Sequence, residues 1–270
     1  MTQAPPHLPL PPCLRHYFEA VLSLPPLLHS THDTAPIADQ AWLNAFRHAA
    51  VIPEQVTYNG NTRLGFFYQW LWQQLITHHP DYEMVAEEIQ LHDAGRTVGA
   101  IDFLVKNKCS GELEHWEVAI KFYLAREQQW PGPNAKDNLD KKAQRMLSHQ
   151  LPLSDSSTYH SQFAHQFGQP TVKRLIMQGR LFTPAYRNDT GSSIAINPAA
   201  SFGQWCYANE CEGLGLRAIT KLDWIVPPRY AHLSPTPSLS TVTHPTMAVA
   251  PDEQLWFVMP MHWPQRRSEA

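Results

Sequence analysis

Eleven residues, 114–124 (EHWEVAIKFYL), constrain this chain more than any other stretch. Successive side chains of a strand point to opposite sides of a sheet, so Trp116, Val118, Ile120 and Phe122 share one apolar face that has to be packed. Glu117, Ala119, Lys121 and Tyr123 share the other. Two more extended segments precede this one, 83–92 (EMVAEEIQLH) and 97–105 (TVGAIDFLV), joined through the tight turn Asp93-Ala94-Gly95-Arg96. The connection 106–113 (KNKCSGEL) reads as a loop with Ser110-Gly111 near its tip. Three strands joined by short turns predict an antiparallel meander.

Helical spacing surrounds the meander. The segments 14–22 (LRHYFEAVL) and 38–50 (ADQAWLNAFRHAA) are interrupted by Pro25, Pro26 and Pro53, which cannot continue a helix. In 63–78 (RLGFFYQWLWQQLITH), Leu64, Phe67, Leu71 and Leu75 form a buried stripe that ends before Pro80. After the break at Pro131-Gly132-Pro133, residues 136–151 predict an amphipathic helix with Leu139, Ala143, Met146, Leu147 and Gln150 on one side. Further strands are expected at 172–181, 221–226 and 253–259, with a long surface loop rich in Pro, Ser and Thr at 227–251. The fold class is mixed α/β: an N-terminal helical segment (1–60), a core (61–185) and a C-terminal, strand-containing extension (186–270).

Composition removes several function classes. At 270 residues and 43% hydrophobic, the chain can bury a core without disulfides or metal staples. A net charge of −3 argues against a surface coated in positive charge, although a local basic groove remains open. Cys13, Cys109, Cys206 and Cys211 make no CxxC pair and read as reduced thiols. The proline-rich residues 1–12 lack a basic leader, and no apolar run approaches the roughly 20 residues that span a bilayer. A cytoplasmic protein without membrane attachment is expected; a homo-oligomer is left open. HExxH, GxSxG, Walker A and dinucleotide fingerprints are all missing.

Turn geometry estimates the register. A second hairpin centred between Cys109 and Ser110 sets Asp102 across from Glu117, with Cβ atoms roughly 5 Å apart. A first hairpin centred on Gly95 sets Glu88 across from Asp102. Acids in such a row destabilise a sheet unless a divalent cation lies between them, and Mg²⁺ takes one or two carboxylates plus waters. Lys121 beside them would steady a hydroxide nucleophile or a charged transition state, which together amounts to metal-assisted phosphodiester hydrolysis. The plainer alternative is an exposed sheet face on which Lys121 neutralises Glu117.

The order helix, three strands, crossover helix, strand resembles the αβββαβ core of the PD-(D/E)XK nuclease superfamily. The runs 99–104 (GAIDFL), 115–124 (HWEVAIKFYL), Gly132-Pro133 and 137–142 (DNLDKK) resemble an uncharacterised bacterial family that carries a domain-of-unknown-function label and is grouped with those nucleases. The likeness to that family runs through most of the chain, and to the superfamily only over about 63–181. It implies a restriction-endonuclease-like core and a divalent-metal-dependent nuclease using Mg²⁺ or Mn²⁺. Asp102 and Glu117 would be metal ligands, with Glu88 as a further acid, and Lys121 the transition-state stabiliser. Lys136, Lys141, Lys142 and Arg145 would meet the phosphates of a nucleic acid, extended by Arg174 and Arg180. One departure stands out. The superfamily places its acid two residues before the lysine, where this chain has Ala119, and Glu117 lies about 13 Å along the strand from Lys121. A catalytically inactive nucleic-acid-binding or protein-interaction module on the same fold is the alternative, and an assembly protein using the aromatic and proline-rich C-terminal part is a third.

Overall fold

Helices α1 (Arg15–Ser23), α2 (Gln40–Ala49) and α3 (Leu64–Thr77) form where the spacing predicts them. The structure is a computed structural model that describes residues 14–29, 36–188 and 196–264. Asp39 caps α2 by accepting from the Trp42 amide at 2.8 Å, satisfying a donor that the first turn leaves open. On α3 the buried stripe is Phe67, Tyr68, Leu71, Trp72, Leu75 and Ile76. The chain divides into two compact units, Met1–Ile120 with Ala143–Gln178, and Lys121–Lys142 with Gly179–Ala270.

In the first unit, α3 leads into β1 (Tyr82–Asp93), β2 (Arg96–Asn107) and the first part of β3 (Leu113–Leu124). These three are the antiparallel meander expected from the turns, followed in strand order by β4 (Val172–Pro184). Trp116, Trp72, Phe46 and Trp42 pack through edge-to-face, tilted and stacked contacts, with centroids 5.1–6.4 Å apart. Such pairs add to the area they bury. Ile89, Leu91, Ile101 and Leu104 form a separate cluster with Leu153 and Tyr159, to which the 3₁₀ turn Leu151–Asp155 and α5 (Ser157–Gln162) contribute. A short α6 (Ala164–Phe167) follows. Buried Gln178 accepts from the Tyr68 hydroxyl at 2.5 Å and donates to the carbonyls of Val21 and Leu24, so α1 is tied to β4 with its polar groups matched.

The helix expected over 136–151 is shorter than the spacing suggests. It begins at Leu139 as α4 (Leu139–Arg145), loosens into a π turn at Met146–Gln150, and tightens into the 3₁₀ turn that contains Pro152. Asn138 fixes the start, its Oδ1 accepting from the Asp140 amide at 2.9 Å. Ala135, with φ 57°, turns the chain before that point, and so Lys136 lies outside the helix.

The second unit holds the ends of β3 and β4, then β5 (Ser201–Tyr207), β6 (Arg217–Ala218), β7 (Thr246–Val249) and β8 (Leu255–Met259). From β4 the strand order is β5, β8, β7, β6; β4–β5 and β5–β8 are parallel and the other two pairings antiparallel. Two expectations fail here. Residues 221–226 form a 3₁₀ turn at Leu222–Trp224, because Asp223 Oδ2 accepts from both the amide and the hydroxyl of Thr220 at 2.9 and 2.7 Å. Such local bonds offer the backbone an alternative to a ladder. The span 227–251, expected as a loop, contains β7, whose Met247, Ala248 and Val249 are buried. The short apolar run was masked by the prolines on either side. Strand β5 was also missed; Gly203 sits in it because a Cβ there would lie 2.6 Å from the Leu255 carbonyl and from the Phe182 ring.

Candidate functional site

The β2–β3 ladder pairs Phe103 with Trp116 and runs on to Lys106 with Leu113. Continued one step beyond its other end, past Phe103–Trp116, the same register reaches Asp102 and Glu117. There side chains enter the bonding. The Asp102 amide donates to Glu117 Oε1 at 3.3 Å, and the Val118 amide donates to Asp102 Oδ2 at 2.9 Å. Glu117 is buried, 1% exposed, whereas Asp102 is half-buried.

His115, fully buried and on the same face as Glu117, reaches its Oε1 through Nε2 at 3.0 Å. Its Nδ1 lies 3.0 Å from the Ser154 hydroxyl. Burial pushes the imidazole down to about 4, against the pull of the Asp102 charge, so the ring is neutral at physiological pH. The ring is thus held between the Glu117 carboxylate at Nε2 and the Ser154 hydroxyl at Nδ1. This chain of bonds fixes the Glu117 carboxylate. Sequence reasoning passed over both His115 and Ser154. The signal for His115 was its place two residues before Glu117, which puts both on one strand face.

Glu88 lies elsewhere. The β1–β2 register pairs Glu87 with Phe103 and Ile89 with Ile101, so Glu88 falls opposite Asp102 along the chain. Its φ of 48° takes the backbone out of regular strand geometry, and its Oε1 accepts from Gln69 Nε2 on α3 at 3.3 Å. The structure therefore brings together Asp102, Glu117 and His115, with Glu88 turned to α3. Among the described residues, no three His, Cys, Asp or Glu are grouped so as to hold a metal ion.

In the second unit, Lys121 Nζ pairs with Asp137 Oδ2 at 3.0 Å, and the Tyr123 hydroxyl donates to the same oxygen at 3.2 Å. Burial and the Asp137 charge both push the Tyr123 phenol up, so it stays a donor. Gly179 on β4 passes against the Lys121 backbone so closely that a Cβ would overlap the Lys121 carbonyl oxygen. Lys136 and Lys141 line an open cleft of about 330 Å³ together with Arg126, Gln129, Asp137 and Asn138. Lys142 is half-buried and Arg145 exposed.

The two later arginines differ in kind. Arg174 belongs to the first unit's core: its guanidinium bonds buried Glu114 Oε2 at 2.8 and 3.0 Å and lies 4.5 Å over the Trp42 ring. Trp116 Nε1 donates to the same carboxylate oxygen, so a charge sits within the face expected to be wholly apolar. Arg180, in the second unit, bonds the Ser201 hydroxyl at 2.7 Å and the Ile225 carbonyl at 3.3 Å, and its Nε has no hydrogen-bond partner among the described residues.

Cys109, Cys206 and Cys211 are free thiols, as the spacing predicts, while Cys13 lies outside the described residues. Burial raises the Cys206 thiol to about 12. Among the described residues no helix is long and apolar enough to cross a membrane.

No curated protein and no solved structure matches the chain. A family described as a domain of unknown function, DUF1853, matches residues 10–258, and the chain belongs to that family.

Proposed function

We propose that this protein is a divalent-metal-dependent nuclease-like enzyme, with Asp102 and Glu117 as the metal ligands. The observation that carries the reading is the cross-bonding of these two acids, the Asp102 amide donating to Glu117 Oε1 and the Val118 amide donating to Asp102 Oδ2. The element order α3, β1, β2, β3, helix, β4 supports a restriction-endonuclease-like αβββαβ core, in line with the resemblance to the PD-(D/E)XK superfamily.

A bound Mg²⁺ would polarise a phosphodiester and lower the pKa of a water ligand. The chain's own contribution is to hold the carboxylates ready. His115 bonds Glu117 and keeps its oxygen aimed, while the Val118 amide restrains Asp102. Lys121, four residues beyond Glu117 in the sequence, is the proposed stabiliser of developing negative charge. Lys136 and Lys141 are the proposed phosphate contacts, which position nucleic acid without reading its sequence.

One observation favours a second reading, an inactive nucleic-acid-binding module on the same fold: Lys121 is already paired with Asp137, and Ala119 holds the position of the usual acid. Incubation with end-labelled DNA and RNA in Mg²⁺ or Mn²⁺ separates the two. The enzyme reading expects metal-dependent cleavage that Asp102→Asn and Glu117→Gln each abolish. Binding without turnover under every metal would establish the inactive reading instead.

A further inference from the structure

The strand residue Glu88 has φ 48°, a left-handed value that a glutamate rarely adopts. A backbone held in such a region is a lead to function when the surroundings over-determine it. Its consequence is visible in the side chains. Neighbouring residues of a regular strand point to opposite faces, yet Glu87 and Glu88 both turn to α3. Glu87 Oε1 accepts from Gln73 Nε2 at 2.8 Å, and Glu88 Oε1 from Gln69 Nε2 at 3.3 Å. Gln69 and Gln73 are one helical turn apart on the same side of α3. The left-handed turn of the backbone at Glu88 therefore sets two exposed carboxylates side by side.

These carboxylates open onto a cleft of about 460 Å³ that three aromatic rings, Tyr58, Phe66 and Trp70, line together with Gln69 and Gln73. The rings are pre-arranged. The Tyr58 hydroxyl donates to the Asn61 carbonyl at 2.6 Å, and its ring lies so close over Gly60 that a Cβ there would be 2.6 Å away. Tyr58 and Trp70 have centroids 5.1 Å apart, and Trp70 stacks on Phe67 beneath. Phe66 is 43% exposed, a large apolar side chain left at the rim. The Glu88 charge reaches Tyr58, adding to burial in raising its phenol.

Aromatic faces attract cations through the ring quadrupole, and carboxylates do so by charge. Two acids repel a phosphate group, which separates this cleft from the proposed nucleic-acid contacts. The acids accept hydrogen bonds, so the fitting cation is one that donates them while lying flat on a ring. A guanidinium does both, with planar donors and weak hydration.

We propose that the cleft between α3 and β1 binds a guanidinium group, stacked on Tyr58 and Trp70 and hydrogen-bonded by Glu87 and Glu88. The site is independent of the nuclease reading and stands or falls without it.

Titration of the full chain with N-acetylarginine amide, followed by calorimetry, tests the site against N-acetylcitrulline amide, in which a neutral urea replaces the guanidinium. Saturable binding of the first and at least roughly tenfold weaker binding of the second are expected, as a desolvated cation–π contact implies. Glu87→Gln and Glu88→Gln are exposed changes that keep the fold, and each weakens the arginine probe severalfold. Tyr58→Leu does the same, while loss of binding together with altered circular dichroism would call for Tyr58→Phe, which retains the ring. A parallel titration with methylguanidinium distinguishes sources: equal affinity assigns the cleft to a small molecule, and tighter binding of an acetylated Gly-Arg-Gly amide to a polypeptide side chain. Equal affinity for the arginine and citrulline probes, or affinity unchanged in the double variant, overturns the proposal. So does an absence of saturable binding at tens of millimolar probe.

Discussion

Asp102 donates its backbone N–H to the side chain of Glu117 at 3.3 Å, at the ladder step where a sheet would ordinarily pair backbone with backbone. The return bond, from the Val118 amide to Asp102 Oδ2 at 2.9 Å, means that both acids are fixed by the strands that carry them. Replacing either by its amide preserves an oxygen acceptor, so Asp102→Asn and Glu117→Gln should fold normally. Each should lose divalent-cation binding, measured by calorimetry with Mn²⁺. Retained binding in both variants would remove the metal assignment.

His115 makes stability depend on acid. The folded protein holds the imidazole at about 4, whereas in the unfolded chain it titrates near the usual value of about 6.5. Between those values the unfolded state binds the extra proton, so stability rises with pH and is lost as pH falls from about 6.5 to 4. The loss attributable to this group is on the order of 3 kcal/mol. Urea midpoints measured across that range should fall in the wild type and fall less in His115→Gln. Parallel curves for the two proteins would show that His115 does not titrate in this way.

Arg174 and Glu114 form a largely buried ion pair, with side-chain exposures of 18% and 1%. Arg174→Met leaves the carboxylate without its cation beside Trp116 and should destabilise by about 3–5 kcal/mol. Adding Glu114→Gln should recover part of that loss, because the orphaned charge is then gone. A double-mutant cycle by urea denaturation reads the coupling.

Gly179 is required by contact as well as by its φ of 144°. Gly179→Ala drives a methyl into the Lys121 carbonyl, and a loss above about 3 kcal/mol is expected for a clash that backbone movement has to relieve. Gly95→Ala, at a turn position with φ 76° and open space, should cost only about 1 kcal/mol. Similar urea midpoints for the two variants would contradict the close approach.

Lys136 and Lys141 share a cleft with Arg126. If they meet phosphates, Lys136→Ala and Lys141→Ala should weaken nucleic-acid binding evenly across sequences and each lower the salt-dependence slope by roughly one. Fluorescence anisotropy over a range of salt concentrations checks this.

Much of the first unit was legible in the sequence because period and turn chemistry agree there. The 3.6-residue stripe of α3 and the alternation of β3 specify one element each, and Gly95 and Gly111 mark the two hairpins that set the register. The same register could not reveal the left-handed backbone at Glu88, since nothing in EMVAEEIQLH distinguishes a strained glutamate from a regular one. His115 was visible as a face-mate of Glu117 but was read only as part of a run. In the second unit, the prolines of 227–251 outweighed the short run Met247–Val249, and an apolar KLDWIV segment hid the capping role of Asp223. Short strands there are stabilised by partners distant in sequence, which local patterns do not report.

The central claim is that Asp102 and Glu117 together hold a divalent cation. Anomalous diffraction from crystals soaked in MnCl₂ tests it most directly. A peak is expected within bonding distance of an oxygen from each carboxylate. A soak that leaves the space beside both carboxylates without a peak, or that places manganese only at other acids, would contradict it.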